Sequence, residues 1–219
     1  MADVPDAYLG VWQRLLLRTP KFEDTTTEVY WIQTRDWHGD IRVPSNRPDC
    51  AGKTSVAQLE HTELLGLSKQ QGFAGVTEVT GDICRWRRKV DFQPPSGYND
   101  IGRMEFESSV RVLEYGVEQD YFEIWQRLPD SVADPWVDIR YLDHRPSLIQ
   151  IGSGKYFIQV RPRTHAAPID DASADLDALR RWVDFEISFG TRTDGAMGRI
   201  LRSTLPWREG RWVEITACP

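Results

Sequence analysis

Most of this 219-residue chain alternates between apolar and polar side chains with a period of two, and runs with helical periodicity are few. A period of two sets one face of a strand against a core and the other toward solvent, which commits the chain to antiparallel sheets. Segments of this kind are VWQRLLLR, TEVYWIQTR, FAGVTEVT, ICRWRRKVDF, GRMEFESSVRVLE, DYFEIWQRL, WVDIRYL, LIQIG, KYFIQVRP, WVDFEISFG, GRILRSTL and RWVEITA. Gly, Pro, Asn and Asp punctuate them, in RTPKFED, PPSGYND, LPDSVADP, GSGK, TDGAMG and REG. An open meander exposes unpaired strand edges, so closure into barrels is the expected solution.

Two short helices interrupt the strands. SVAQLEHTELLGLSKQQ places Val56, Leu59, Leu64 and Leu67 near one face, with Ser55 as the expected N-cap of a helix over 55–71. DDASADLDALRRW carries acids first and Arg180 and Arg181 last, matching the helix dipole. The QPPSGYN loop divides the chain most naturally. Residues 1–96 are expected to form a small barrel-like sheet with the 55–71 helix, and residues 97–219 an eight-stranded barrel.

Charge narrows the function classes. The net charge is −6, from 33 acids against 27 Lys and Arg, and neither half is basic overall. Nucleic-acid binding is therefore not expected, and the four cations at 85–89 are a local feature. The start, MADVPDAYLG, lacks a basic and an apolar segment, and no apolar run reaches about 20 residues, so neither a signal peptide nor a membrane span is expected. Cys50, Cys84 and Cys218 have no CxxC spacing, which suits a reducing, cytoplasmic setting. His38, His61, His144 and His165 show no ligand spacing, so no metal and no cofactor is expected.

Polar residues on otherwise apolar faces mark the candidate site. In ICRWRRKVDF, Cys84, Trp86, Val90 and Phe92 share a face with Arg88. A charge pointing into a barrel needs a carboxylate, hydrogen bonds or an anionic ligand, unless a bulge turns it outward. Glu114 ends the apolar face of the following strand, Gln126 interrupts Phe122, Ile124 and Leu128, and Gln33 and Arg35 follow Val29 and Trp31. An apolar cavity with a few convergent polar groups is the usual form of a small-molecule pocket; internal salt bridging is the competing explanation. Nine tryptophans are available as core or as stacking surface.

Two sets of motifs resemble known families. YLGVWQR is similar to the Gly-x-Trp opening of lipocalin and calycin barrels. FAGVTEV, Trp86, IGRMEF, YFEIWQR and DFEISFGTRT…REGRWVEIT occur in an order that resembles the fungal Hri-type, casein-kinase-interacting proteins, over residues 72 to the C-terminus. The resemblance implies two lipocalin-like barrels. It brings no catalytic residues, and nothing here identifies a segment for docking a kinase.

Three functions follow as expectations. The first is a lipocalin-like protein binding a small hydrophobic or aromatic, anionic ligand. Trp31, Trp86 and Trp125 would supply surface, Arg88 and Arg35 would pair with the anion, and Gln33, Gln126 and Glu114 would orient it. The second is a metal-independent lyase or isomerase. Glu114 or His144 would move the proton and Arg88 would stabilise negative charge, with His61 and Glu123 as further proton carriers. The third is an interaction module docking through loops such as 163–178. Partners are expected to be the small ligand, with neither nucleic acid nor membrane, and a homodimer is compatible with the sequence.

Overall fold

The computed structural model describes residues 4–164, 175–193 and 196–216. The strands are β1 (Gly10–Arg18), β2 (Glu23–Asp24), β3 (Glu28–Gln33), β4 (Trp37–Val43), β5 (Gln71–Thr80), β6 (Ile83–Asp91), β7 (Asp100–Ser108), β8 (Arg111–Gly116) and β9 (Phe122–Arg127). They continue as β10 (Trp136–Leu142), β11 (Arg145–Ser153), β12 (Tyr156–Arg161), β13 (Glu186–Arg192), β14 (Met197–Ser203) and β15 (Trp212–Glu214). The helices are α1 (His61–Leu67) and α2 (Leu176–Val183). All strand pairs are antiparallel.

The first sheet runs β2-β1-β3-β4-β5-β6-β7-β8-β9, and β9 returns to pair with β1. Trp12 lies opposite Arg127 and Arg18 opposite Phe122, so β1 and β3–β9 close an eight-stranded barrel. The second sheet, β10-β11-β12-β13-β14-β15, is an open half-barrel. The mainly β, two-barrel architecture expected from the alternation is therefore present, with the parts assigned differently. The eight-stranded barrel is N-terminal, and the QPPSGYN loop joins β6 to β7 inside it. The change of sheet comes later, at LPDSVADP between β9 and β10.

The helical expectations are trimmed. Segment 55–71 contains a 3-10 turn at Val56–Gln58 and then α1, capped by Glu60 and Glu63 reciprocally, while Ser55 makes no capping bond. Leu64 and Leu67 bury against Leu179 and Val183 of α2. Asp175 caps α2, its carboxylate accepting from the Ala178 N–H at 2.7 Å; the earlier part of that segment lies outside the described residues.

The two sheets share a core. Val11, Ile32, Ile41, Val43 and Ala74 project from the outside of the barrel onto Ile149, Ile151, Ile158, Val160, Ile187 and Phe189 of the half-barrel. Tyr30 stacks on Phe189 with ring centroids 4.2 Å apart. Gly39 lets the sheets approach, since a Cβ there would lie 3.0 Å from Ile158. So β4 is buried on both faces, Gly39, Ile41 and Val43 against the second sheet and His38 and Asp40 inside the barrel.

Candidate functional site: the barrel interior and the cleft at its mouth

The barrel is filled by its own side chains. Trp12, Val29, Trp31, Cys84, Trp86, Met104, Val112 and Trp125 form one interior cluster. Trp31 sits edge-on to Trp86 and Trp125, with centroids 5.6 and 5.7 Å away. Gln33 is fully buried, accepting from the Trp31 indole at 3.2 Å and the Thr77 hydroxyl at 2.8 Å. Thr77 also bonds His38 Nδ1 at 3.0 Å. The His38 imidazole is pulled down to about 3, by burial first and then by the nearby Arg88 charge, and so stays neutral.

Next to the tryptophans lies a charged layer. Arg14 donates to Glu123 at 2.8 Å and to Asp24 at 3.0 Å, and Arg42 donates to Asp40 at 2.9 Å. Glu114 lies opposite Glu123 across β8 and β9. Its two oxygens accept from the Tyr121 hydroxyl at 2.7 Å and the Trp125 indole at 2.9 Å. Gly102 makes room for it, since a Cβ there would fall 2.9 Å from Glu114 Oε1. Burial, followed by the Glu123 charge, holds the Glu114 carboxyl well above the ordinary carboxylate range. Of the buried carboxyls Asp40, Glu114 and Glu123, Glu114 is the one with no guanidinium in contact among the described residues. The space left among Trp31, Asp40, Arg42, Phe73, Glu114 and Glu123 is about 20 Å³, room for roughly one water. This cavity is not ligand-sized, and of the two explanations the sequence leaves open, internal salt bridging is the one seen among these residues.

Space for a ligand lies at the mouth. A cleft of about 680 Å³ runs along β6, the 93–101 segment and Tyr121 to Arg163 and Trp182 of the second unit. Arg88 closes the passage inward. It pairs with Asp91 at 2.9 Å and Asp100 at 2.7 Å, and its guanidinium stacks 3.6 Å from the Phe73 ring centre. Asp100 and Trp86 line both the cleft and the inner chamber. The local cause is a bulge: Ala74 pairs with Val90 and Gly75 with Arg88, which leaves Lys89 extra. The bulge keeps Phe92 buried while holding Arg88 at the rim, one third exposed.

The structure sorts the expected site residues. It brings Trp31, Gln33, Trp86, Trp125 and Glu114 together inside the barrel and sets Arg88 at its mouth. Three others fall elsewhere. Arg35 lies beyond the end of β3, half exposed and paired with Asp6. Gln126 is exposed, because β9 turns Glu123 and Trp125 inward and Gln126 outward. His144 sits exposed in the tight Asp143-His144 turn between β10 and β11, with φ of +63°. Glu114, Arg88 and His144 therefore form no catalytic constellation. The docking loop 163–178 falls mostly outside the described residues. Sequence reading missed Arg14, Asp40, Arg42, Tyr121 and Arg163. Arg14 had a signal, since it is two residues from Trp12 on one strand face.

Among the described residues no group of three or more His, Cys, Asp or Glu is placed to hold a metal, and no helix is long and apolar enough to cross a membrane. No protein-family profile matches the chain, and no curated protein matches it. A solved structure does. The crystal structure of an uncharacterized protein, YLR301w, from Saccharomyces cerevisiae is similar over 89% of this chain and 84% of that one, at 13% identity and a TM-score of 0.52. At that identity the likeness establishes a shared fold alone.

Proposed function

We propose that the protein binds a small amphiphilic organic anion, with an aromatic or apolar body, in the cleft at the barrel mouth. The observation that carries this reading is the imbalance of charge there. Arg85, Arg87, Arg88, Lys89 and Arg163 line the cleft; Asp91 and Asp100 are both committed to Arg88 and Arg87 is paired with Glu78, which leaves Arg85, Lys89 and Arg163 without a carboxylate partner among the described residues. Trp86, Tyr98, Tyr121 and Trp182 supply apolar walls. A concave site with aromatic walls and excess positive charge suits a carboxylate or other oxyanion on a flat body. Binding is favoured over turnover because Glu114 lies behind Tyr121 and His144 is on an exposed turn that does not line the cleft. The Hri-type resemblance remains part of this proposal, resting on motif order, and it adds no site residue.

Trp86 and Trp182 make the test direct. Aromatic carboxylates such as 1-naphthoate are expected to quench tryptophan fluorescence saturably and raise the melting temperature, and Trp86→Phe with Trp182→Phe should remove most of the quench. An unchanged spectrum and melting temperature across a broad panel of organic anions would overturn the reading.

A further inference from the structure

Of the cations at the cleft, Arg163 is held unlike the rest. Arg88 is spent on two aspartates, and Arg87 pairs with Glu78 at 2.6 Å. Arg85, Lys89 and Arg163 make no ion pair among the described residues, and of these three only Arg163 is fixed by side-chain hydrogen bonds. Its Nε donates to the Trp182 carbonyl at 2.9 Å, and both terminal nitrogens donate to the Phe92 carbonyl at 3.0 Å. Its Cζ lies 4.0 Å from the Trp182 ring centre, 4.6 Å from that of Phe185 and 4.9 Å from that of Phe92. Three of its five N–H donors are used on carbonyls, leaving one on each terminal nitrogen, at opposite edges of the group.

This environment fixes the group without neutralising it. Carbonyl dipoles and ring faces orient a cation, yet supply less compensation than a carboxylate. Burial outweighs the distant Asp91 and Asp184 charges and draws Arg163 down to about 10, the direction for a cation short of negative partners. It remains fully charged at neutral pH. Arg163 follows β12, so the second unit contributes it to a cleft whose other cations come from the barrel.

We propose that Arg163 is the residue that reads the ligand's oxyanion, a carboxylate, sulfonate or phosphate that accepts from the free N–H of one terminal nitrogen. The assignment rests on the cleft being the binding site. A guanidinium already fixed in place suits an anionic acceptor, because little conformational freedom is left to lose.

Two fluorescent probes of one shape separate the claims: 8-anilinonaphthalene-1-sulfonate and its uncharged parent, N-phenyl-1-naphthylamine. The wild-type chain is expected to bind the sulfonate at least ten-fold more tightly. Arg163→Gln should bring the two affinities within about two-fold while the parent amine binds as before; Arg35→Gln, outside the cleft, should keep the full preference. Should Arg163→Gln fail to fold, the wild-type protein still decides. The Arg163 Nε–H resonance, identified by its disappearance in Arg163→Lys, should shift saturably with the sulfonate. A sulfonate preference undiminished in folded Arg163→Gln, or an unmoved Arg163 resonance while the probe binds, overturns the assignment and leaves the cleft standing. Binding of neither probe overturns both.

Discussion

Glu114 and Glu123 face each other across β8 and β9, and only Glu123 has a guanidinium in contact. A carboxyl raised in the folded state binds its proton more tightly there than in the unfolded chain. Stability is then complete below the unfolded value and falls as pH climbs toward the folded one, by up to about 1.4 kcal/mol per pH unit. Glutamine mimics the protonated acid, and its amide can donate to the Tyr121 oxygen with the bond reversed. Glu114→Gln is therefore expected to unfold near the wild-type urea midpoint at pH 5 and above it at pH 8; parallel midpoints at both values would place the proton elsewhere. Which of these residues the sequence revealed depends on how clean each strand's pattern is. Trp31, Gln33, Trp86 and Glu114 lie on strands whose apolar face is the barrel interior, and alternation located them. Asp40 and Arg42 were hidden because β4 inverts the rule, with its apolar residues outside, under the second sheet. Gln126 misled because Phe122 and Ile124 are half buried on the outer face of β9.

Within β6 the extra residue decides where the cleft's cations sit. Gly75 opposes the bulge, and a Cβ there would fall 2.0 Å from the Arg87 carbonyl oxygen. Gly75→Ala must push the two strands apart, and a loss of about 3 kcal/mol is expected by chemical denaturation. A near-neutral result would show that the bulge tolerates displacement. Alternation raised such a bulge as one way to turn Arg88 outward, but register is settled by pairing with β5 and was not legible from β6 alone. The same limit misplaced the boundary between units. PPSGYN and LPDSVADP carry similar turn residues, and only partner choice distinguishes a loop inside a barrel from a passage between sheets.

The wall of the barrel is the floor of the half-barrel, so the two sheets are expected to unfold as one unit. Ile158 is fully buried in that shared layer. Ile158→Ala is expected to cost about 2–5 kcal/mol, with tryptophan fluorescence and far-ultraviolet dichroism reporting the same midpoint. Two separated transitions would mean that the sheets melt independently. The sequence foresaw two β units; it could not foresee their common layer, since outward apolar residues on β3 and β4 read as ordinary strand faces.

The seam between β1 and β9 carries a kinetic consequence. Arg18 finds Phe122 only after the intervening chain has been made, so a nascent chain leaves the ribosome with its first strand lacking its final neighbour until β9 emerges. Pairing at such sequence separation is slow compared with hairpin formation, so closing the β1–β9 seam is expected to be a late step in forming the barrel.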